Sequence, residues 1–202
     1  MAGLIAPLLI AFPAAAQSPV WQSPAKGYLY DQVTRSIRTM VGIPGSAYAG
    51  PAVQSNVEWA SLTPNGRSSL VLRDGHLAWF PDLNGDAVSM DFADVPAACV
   101  WSADSTRAVS LSQKAGTLTW LSGFGTVPNV ETRWDFSSID AAEWKLLAAD
   151  SKAETVLLAA RGSSGWTIWS TTSTTSPVNL GAVQRPAAAA FDASSSAAYI
   201  AD

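Results

Sequence analysis

The sequence predicts an all-β fold built from repeated four-stranded antiparallel sheets. After residue 57 a turn pattern recurs every 39 to 46 residues, with pivots at Asn65, Asp104, Asp150 and Ser194. Two β-rich runs around a Gly-containing turn follow each of the first three pivots, and this is the pattern of a β-hairpin. A further run before each pivot and another after each hairpin complete four strands per repeat.

The hairpins contain part of an unusual surplus of Trp, which occurs nine times in 202 residues. The first strands are predicted at residues 69–72, 108–111 and 155–158, and the turns at residues 73–75, 114–116 and 161–165. The second strands contain Trp79, Trp120 and Trp169. We expect these three rings to hold equivalent positions between neighbouring sheets, because each buries about 150–250 Å² of surface there.

A period of about 40–45 residues with four short strands is typical of a β-propeller blade. The turns at residues 101–105 (WSADS) and 62–66 (LTPNG) come nearest to an aromatic-Ser-Pro-Asp-Gly turn. On these turns the chain resembles the broad WD40-like and TolB-like group of exported bacterial β-propellers. No blade has the Gly-His and Trp-Asp pair of a strict WD40 repeat, and Trp134-Asp135 occurs at an unmatched position. The resemblance implies a propeller over about residues 57–202 and no particular activity.

Residues 57–202 supply about three and a half blades, whereas propellers close with 4–8 blades. We therefore expect the chain to be a fragment of a longer protein. The alternatives are a ring assembled from two chains and a smaller β-sheet fold. An open arc would expose apolar faces and an unpaired strand edge.

The N-terminus has the pattern of a signal peptide. Residues 1–12 are apolar and uncharged, and Ala14 and Ala16 form an A-x-A cleavage pattern before Gln17. The apolar stretch is shorter than the roughly 20 residues that span a bilayer. Residues 1–16 are therefore predicted to be a signal peptide of a secreted or periplasmic protein without a membrane span after cleavage. The alternative is a buried or membrane-associated N-terminal helix.

Residues 17–56 are predicted to hold N-terminal strands and a linker. Residues 27–31 and 36–40 are predicted to be strands, and residues 42–45 are predicted to be a turn. Because an N-terminal strand often pairs into the last blade of a propeller, this pair is expected to help close the ring.

Composition excludes several classes of site. The 12 Lys and Arg against 16 Asp and Glu give a net charge of −4, which argues against a nucleic-acid partner. A single Cys and a single His exclude a disulfide framework, a thiolate zinc cluster and a multi-His metal site. The sequence contains no Gly-x-Ser-x-Gly elbow and no phosphate-binding glycine loop. We predict no catalytic residue, no cofactor site and no metal ligand.

Three features of the sequence are candidate sites. Cys99 is predicted to be a small buried hydrophobe, with a catalytic thiolate as the alternative. His76 follows a turn and is predicted to be solvated. Most Trp residues are assigned to packing, and Trp21, Trp134 and Trp166 are the candidates for an exposed ligand-binding platform.

Residues 82–86 (DLNGD) form the one candidate metal loop. Asp82, Asn84 and Asp86 place oxygen atoms at alternate positions, as calcium loops do. Ala87 and Ala93 stand where the EF-hand has Gly and a bidentate Glu. An Asn-Gly turn between strands is the preferred interpretation, with calcium binding as the alternative.

These observations predict an exported, non-catalytic β-propeller that binds or scaffolds a protein or peptide partner. The first alternative is the N-terminal propeller portion of a larger hydrolase such as a peptidase. The second alternative is a Trp-based lectin that binds glycans.

Overall fold

The computed structural model describes residues 25–42, 46–92 and 94–201. Their regular elements are all β-strands, as predicted. Among these residues there is no helix with the length and apolar character needed to cross a membrane. The predicted signal peptide over residues 1–16 and the predicted Trp21 platform lie outside the described residues.

An N-terminal sheet, three four-stranded blades and a C-terminal hairpin follow one another along the chain. The N-terminal sheet contains β1 (Ala25–Asp31), β2 (Ser36–Val41) and β3 (Tyr48–Gln54). Blade 1 contains β4 (Trp59–Leu62), β5 (Ser69–Arg73), β6 (His76–Phe80) and β7 (Val88–Ser89). Blade 2 contains β8 (Ala98–Trp101), β9 (Arg107–Ser112), β10 (Thr117–Ser122) and β11 (Asn129–Asp135). Blade 3 contains β12 (Glu143–Ala149), β13 (Thr155–Gly162), β14 (Gly165–Thr172) and β15 (Val178–Val183), and the C-terminal hairpin contains β16 (Ala188–Phe191) and β17 (Ala198–Ala201).

Each blade is an antiparallel meander in which every strand pairs with the next one in sequence. The predicted hairpins are confirmed, and tight turns close them. In blade 1 the turn lies at Asp74 and Gly75, both of which have positive φ angles of 51° and 74°. Gly tolerates this left-handed backbone without steric cost, which explains its place in the predicted turn.

The sheets stack face to face, and each gap between them holds an apolar cluster. The N-terminal sheet packs on blade 1 through Ile37, Val71 and Phe80. Blade 1 packs on blade 2 through a cluster centred on Trp79. A cluster centred on Trp120 fills the gap between blades 2 and 3. The core is therefore distributed between neighbouring sheets rather than gathered at one centre.

Two of the three repeated Trp residues behave as the sequence predicts. Trp79 lies opposite Leu70 and Trp120 lies opposite Val109, and both rings are 2% exposed and face the next blade. Trp169 differs, because it packs back towards blade 2. The prediction that all three rings are equivalent is therefore wrong for Trp169.

The difference is an offset of one residue within the third hairpin. Trp169 lies opposite Leu158, five residues after the left-handed Ala153, whereas Trp79 and Trp120 lie opposite residues that are four after Gly66 and Ser105. Strand β12 is seven residues long and carries a bulge between Leu146 and Ala148, and the turn after it lies two residues later than the sequence pattern indicates. Left-handed turn residues mark the true register, at Gly66, Ser105, Ala153 and Ser195. The equivalent of Asn65 is thus Lys152 rather than Asp150.

Candidate functional site at the mouth of the central channel

The first strands of the four repeats converge and end around one cavity. We call β4, β8, β12 and β16 the inner strands, and β8, β12 and β16 lie side by side. The cavity at their C-terminal ends has a volume of about 660 Å³, and we call it the mouth. Its wall consists of residues 61–64, 99–101, 103, 147–151 and 189–193. Equivalent positions of four repeats thus build one site.

The wall of the mouth is made mainly of small side chains. Ser61 and Cys99 are half-buried on the first two inner strands, Ala148 is buried on the third and Ala190 is exposed on the fourth. Trp101 and Phe191 supply the aromatic rings of this wall. Because no long side chain of these strands fills the cavity, the mouth is open to a ligand.

The turn after each inner strand is held by a side-chain oxygen at its first position. This oxygen accepts backbone N–H groups four or five residues further along the chain. The first-position residues are Thr63, Ser102, Asp150 and Asp192, and their accepted donors include the N–H groups of Ser68, Arg107, Thr155 and Ala197. This repeated acceptor is a signal in the sequence that the pivot alignment missed, because that alignment centred on the third turn position.

Hydrogen bonds tie neighbouring repeats together at the mouth. The indole N–H of Trp101 donates to Ser61 Oγ at 2.8 Å and joins the inner strands of blades 1 and 2. The N–H of Ala103 donates to the carbonyl of Ser151 at 2.8 Å and joins the turns of blades 2 and 3. The mouth is therefore held rigidly by contacts that cross from blade to blade.

The carboxylates at the mouth are engaged by their own turns. Asp150 is 7% exposed, and its Oδ1 accepts the N–H of Glu154 at 2.9 Å. Hydrogen bonds from Ser194, Ala197 and Ser196 lower the pKa of Asp192 to about 2. Such a group remains an anion near neutral pH and is a poor general base.

Cys99 lies in the wall of the mouth, and its thiol donates weakly to the carbonyl of Val100 at 3.8 Å. Burial raises the pKa of this thiol to about 12, although a hydrogen bond with Ser61 opposes the rise. A raised pKa keeps a thiol protonated near neutral pH, which weakens it as a nucleophile. The sequence predicts a small buried hydrophobe. The protonated thiol fits this prediction, whereas the half-buried position of the residue is more exposed than predicted.

The other sequence candidates lie away from the mouth. His76 is exposed at the start of β6, as predicted. In the candidate calcium loop, Asp82 Oδ1 accepts the N–H of Asn84 at 2.8 Å. The Asn84 amide in turn donates to the hydroxyl of Tyr28 at 2.7 Å. These bonds form a turn that is docked on the N-terminal sheet, and no group of three His, Cys, Asp or Glu that could hold a metal occurs within the described residues.

The described Trp residues are half-buried or buried, so the described surface carries no exposed Trp platform. Trp166 lies in the cluster between blade 3 and the C-terminal hairpin, with Lys145 Nζ 4.4 Å from its ring centroid. Trp134 packs on the cluster between blades 2 and 3 and donates to the carbonyl of Thr172 at 3.2 Å. Both candidates for exposed rings are therefore packing residues.

Neither the protein-family models nor the curated proteins include a match to this chain. Solved structures do match it. The WD40 domain of Toxoplasma gondii coronin superposes with a TM-score of 0.57 and 13% identity, over 86% of this chain and 48% of that chain. A chain of the nidogen/laminin complex superposes with a TM-score of 0.57 and 12% identity, over 84% of this chain and 67% of that chain. The periplasmic gluconolactonase of Pseudomonas aeruginosa superposes with a TM-score of 0.51 and 13% identity, over 82% of this chain and 56% of that chain.

These similarities lie far below the identity at which function transfers, and they concern the fold. This chain spans between about half and two thirds of the length of these three structures. Four-stranded antiparallel blades stacked around a channel, together with these structures, confirm the predicted architecture. The described residues form an open arc of a β-propeller.

Proposed function

We propose that this protein is an exported, non-catalytic propeller that binds a segment of another protein at the mouth of its channel. The observation that carries the proposal is the convergence of four repeats on one open cavity of about 660 Å³. Small side chains leave room there, and Trp101 offers an aromatic surface of the kind that is enriched where proteins bind each other.

The chemistry of the mouth supports binding over catalysis. A hydrolytic site needs a nucleophile or base with a suitable pKa and a partner that orients it. The thiol of Cys99 is held in its neutral form, and the carboxylate of Asp192 is committed to the turn that it closes. The backbone hydrogen bond from Ala103 to Ser151 holds the rim of the mouth in place. It favours affinity for a partner, because the rim loses less conformational freedom on binding.

Two substitutions of the same type test the site. Ala103→Arg places a long side chain at the rim of the mouth, where Ala103 is exposed. Ala115→Arg makes the same change at an exposed Ala in the turn between β9 and β10 of the same blade, at the opposite end of its strands. We expect Ala103→Arg to weaken partner capture at least about 10-fold and Ala115→Arg to leave it unchanged.

The measurement is quantitative affinity capture from the secreted and periplasmic fractions, followed by titration of each captured protein. Both variants need unchanged circular dichroism for a valid comparison. Equal capture by the wild type and Ala103→Arg contradicts a site at the mouth. Capture that is lost equally in both variants contradicts it as well.

A lactone assay separates the binding function from catalysis, since one similar structure is named a gluconolactonase. We expect no hydrolysis of gluconolactone above the uncatalysed rate. Turnover that falls in Ala103→Arg and persists in Ala115→Arg would replace the proposed function with an enzymatic one.

Export is tested at the N-terminus of the purified protein. If residues 1–16 are removed as proposed, the N-terminal sequence of the exported protein begins near Gln17. Recovery of the protein in the cytoplasm with Met1 retained contradicts export.

A further inference from the structure

The longest run of hydroxyl side chains in the sequence lies in blade 3. Residues 170–176 (STTSTTS) are all Ser or Thr, and Pro177 follows them. The next longest run of this kind is the three Ser residues at 194–196. The run begins within β14 and continues through the loop that leads to β15. Segments rich in Ser and Thr with Pro are typical of proteins that carry O-linked sugars.

The first part of this run fixes the path of the loop. Thr171 is buried, and its hydroxyl donates to the carbonyl of Thr175 at 2.8 Å. The hydroxyl oxygen of Thr172 accepts the N–H of Thr174 at 3.2 Å and the N–H of Thr175 at 3.0 Å. Such local hydrogen bonds between side chain and backbone stabilise a turn. Thr171 and Thr172 are therefore structural residues of the loop.

The last part of the run faces solvent, and Ser176 has its free hydroxyl. Thr174, Thr175 and Ser176 are exposed. The hydroxyls of Thr174 and Thr175 lie 3.3 and 2.8 Å from the hydroxyl of Thr172. Ser176 Oγ has no hydrogen-bond partner among the described residues. Because Pro177 restricts the residue before it to an extended backbone, Ser176 presents this oxygen on an accessible and extended segment.

The loop borders a second cavity, at the same end of blade 3 as the mouth. Thr172 at the end of β14 pairs with Thr155 at the start of β13, so the loop lies beside the turn that follows β12. The cavity has a volume of about 420 Å³, and we call it the outer groove. Its wall consists of Arg107, Glu154, Thr155 and residues 172–175. A group attached to Ser176 therefore has the outer groove next to it.

The charges of the outer groove disfavour a phosphate group at this loop. In the described part of its wall, Arg107 is the one cation. The guanidinium of Arg107 contacts Glu131 at 3.2 Å and Glu154 at 3.4 Å, so two carboxylates share a single positive charge. A phosphate placed beside carboxylates is repelled, and here the cation that could attract it is already paired.

A sugar fits the same surroundings better. It is uncharged, and each of its hydroxyls both donates and accepts hydrogen bonds. The outer groove offers partners for both, because the Glu154 carboxylate accepts, the Arg107 guanidinium donates and the Thr155 hydroxyl does either. The groove therefore has the room and the hydrogen-bonding groups to hold the first sugar of an attached chain.

We propose that Ser176 is a site of O-glycosylation. The donor is an activated sugar whose anomeric carbon is bonded to a phosphate oxygen of a nucleotide or a lipid carrier. Ser176 Oγ attacks the anomeric carbon, and a glycosidic C–O bond forms. The bond from that carbon to the phosphate oxygen breaks, the phosphate leaves with the electron pair, and the hydroxyl proton passes to a base of the transferase. The inference does not depend on which partner binds at the mouth.

Mass spectrometry of the protein purified from its native source tests the proposal. Trypsin cleaves after Arg161 and releases a peptide that begins at Gly162 and contains residues 170–177. The same peptide contains Ser163 and Ser164, which are exposed in the turn at the opposite end of β14 and serve as the internal control. Fragmentation by electron transfer, which leaves glycosidic bonds intact, locates the modified residue.

We expect the mass of one or more sugar residues on Ser176 and none on Ser163 or Ser164. An unmodified peptide overturns the proposal, and so does a phosphate in place of the sugar. Sugar that is spread equally over Ser164 and Ser176 contradicts selection of this loop. Sugar on Thr174 or Thr175 with an unmodified Ser176 overturns the assignment of the acceptor.

Two variants produced in the native source complete the test. Both replace an exposed Ser by Ala in a loop of blade 3, so neither is expected to change the circular dichroism of the protein. We expect Ser176→Ala to lose the additional mass and Ser164→Ala to keep it. An additional mass that persists unchanged in Ser176→Ala overturns the proposal.

Discussion

Trp120 allows the packing between blades to be tested by two substitutions at one position. The ring is 2% exposed and lies in the cluster between blades 2 and 3, while its indole N–H has no hydrogen-bond partner among the described residues. Burial of about 150–250 Å² at about 25 cal/mol per Å² corresponds to about 4–6 kcal/mol. Measured losses for buried Trp→Ala changes are about 3–5 kcal/mol, and we expect Trp120→Ala to fall in this range.

Trp120→Phe is the matched control. It keeps most of the ring and removes the unpartnered N–H, whose burial costs about 1–3 kcal/mol. This relief offsets the smaller buried area, so we expect the free energy of unfolding to change by less than about 1 kcal/mol.

Urea unfolding followed by far-UV circular dichroism measures both changes. A Phe variant as unstable as the Ala variant would show that the indole N–H makes a stabilising bond. An Ala variant that loses less than about 1 kcal/mol would refute the claim that blades 2 and 3 share this core.

Four further outcomes concern the mouth and the loops. Trp101→Phe and Ser61→Ala should couple by about 0.5–1.5 kcal/mol in a double-mutant cycle of urea unfolding, and additive effects contradict their hydrogen bond. The turn at Asp192 has a folded pKa of about 2 against 3.8 unfolded, so its stabilisation is full above 3.8 and lost as the pH falls towards 2. The protection factors of amides in the C-terminal hairpin, which are corrected for the intrinsic pH dependence of exchange, should fall with that loss. In the Asp192→Asn variant these protection factors should not change between pH 3.8 and 2. Cys99 should alkylate at least about 100-fold more slowly than free cysteine at about pH 8, because burial raises its pKa to about 12. A chelator should change the melting temperature of the protein by less than about 1 °C. A larger drop would support the alternative that residues 82–86 bind calcium.

Local patterns explain why the blades could be predicted from the sequence. Paired β-rich runs around Asp74-Gly75 or Gly116 have few alternatives to a hairpin, and the structure has hairpins at both places. Trp79 and Trp120 follow because a large side chain at this point of the hairpin fills the gap to the next blade.

The third repeat could not be aligned correctly, because Asp150 is the same residue type as the pivot Asp104 but stands at the first position of its turn. The turn after β12 lies two residues later than the pattern indicates, and β12 also carries a bulge between Leu146 and Ala148. Asp150 was therefore compared with Asn65, although it performs the role of Thr63. A two-residue shift alone leaves a side chain on the same face. Trp169 faces the other way because it lies opposite Leu158, one residue beyond the position that corresponds to Leu70 and Val109.

The mouth was beyond prediction for a different reason. Each repeat contributes unremarkable residues such as Ser61, Cys99 and Ala190, and none of them marks a site alone. The site exists because four inner strands end at the same level of the channel. Its chemistry is collective, and a search for motifs examines one segment at a time.

The backbone bond between Ala103 and Ser151 also affects how this surface can evolve. The bond uses a main-chain donor and a main-chain acceptor, so side chains at both positions can change while the turns stay in register. Both residues are exposed at the rim. Mutations there can alter what the rim recognises at little cost to folding, so this frame is suited to laboratory selection of new binding specificities.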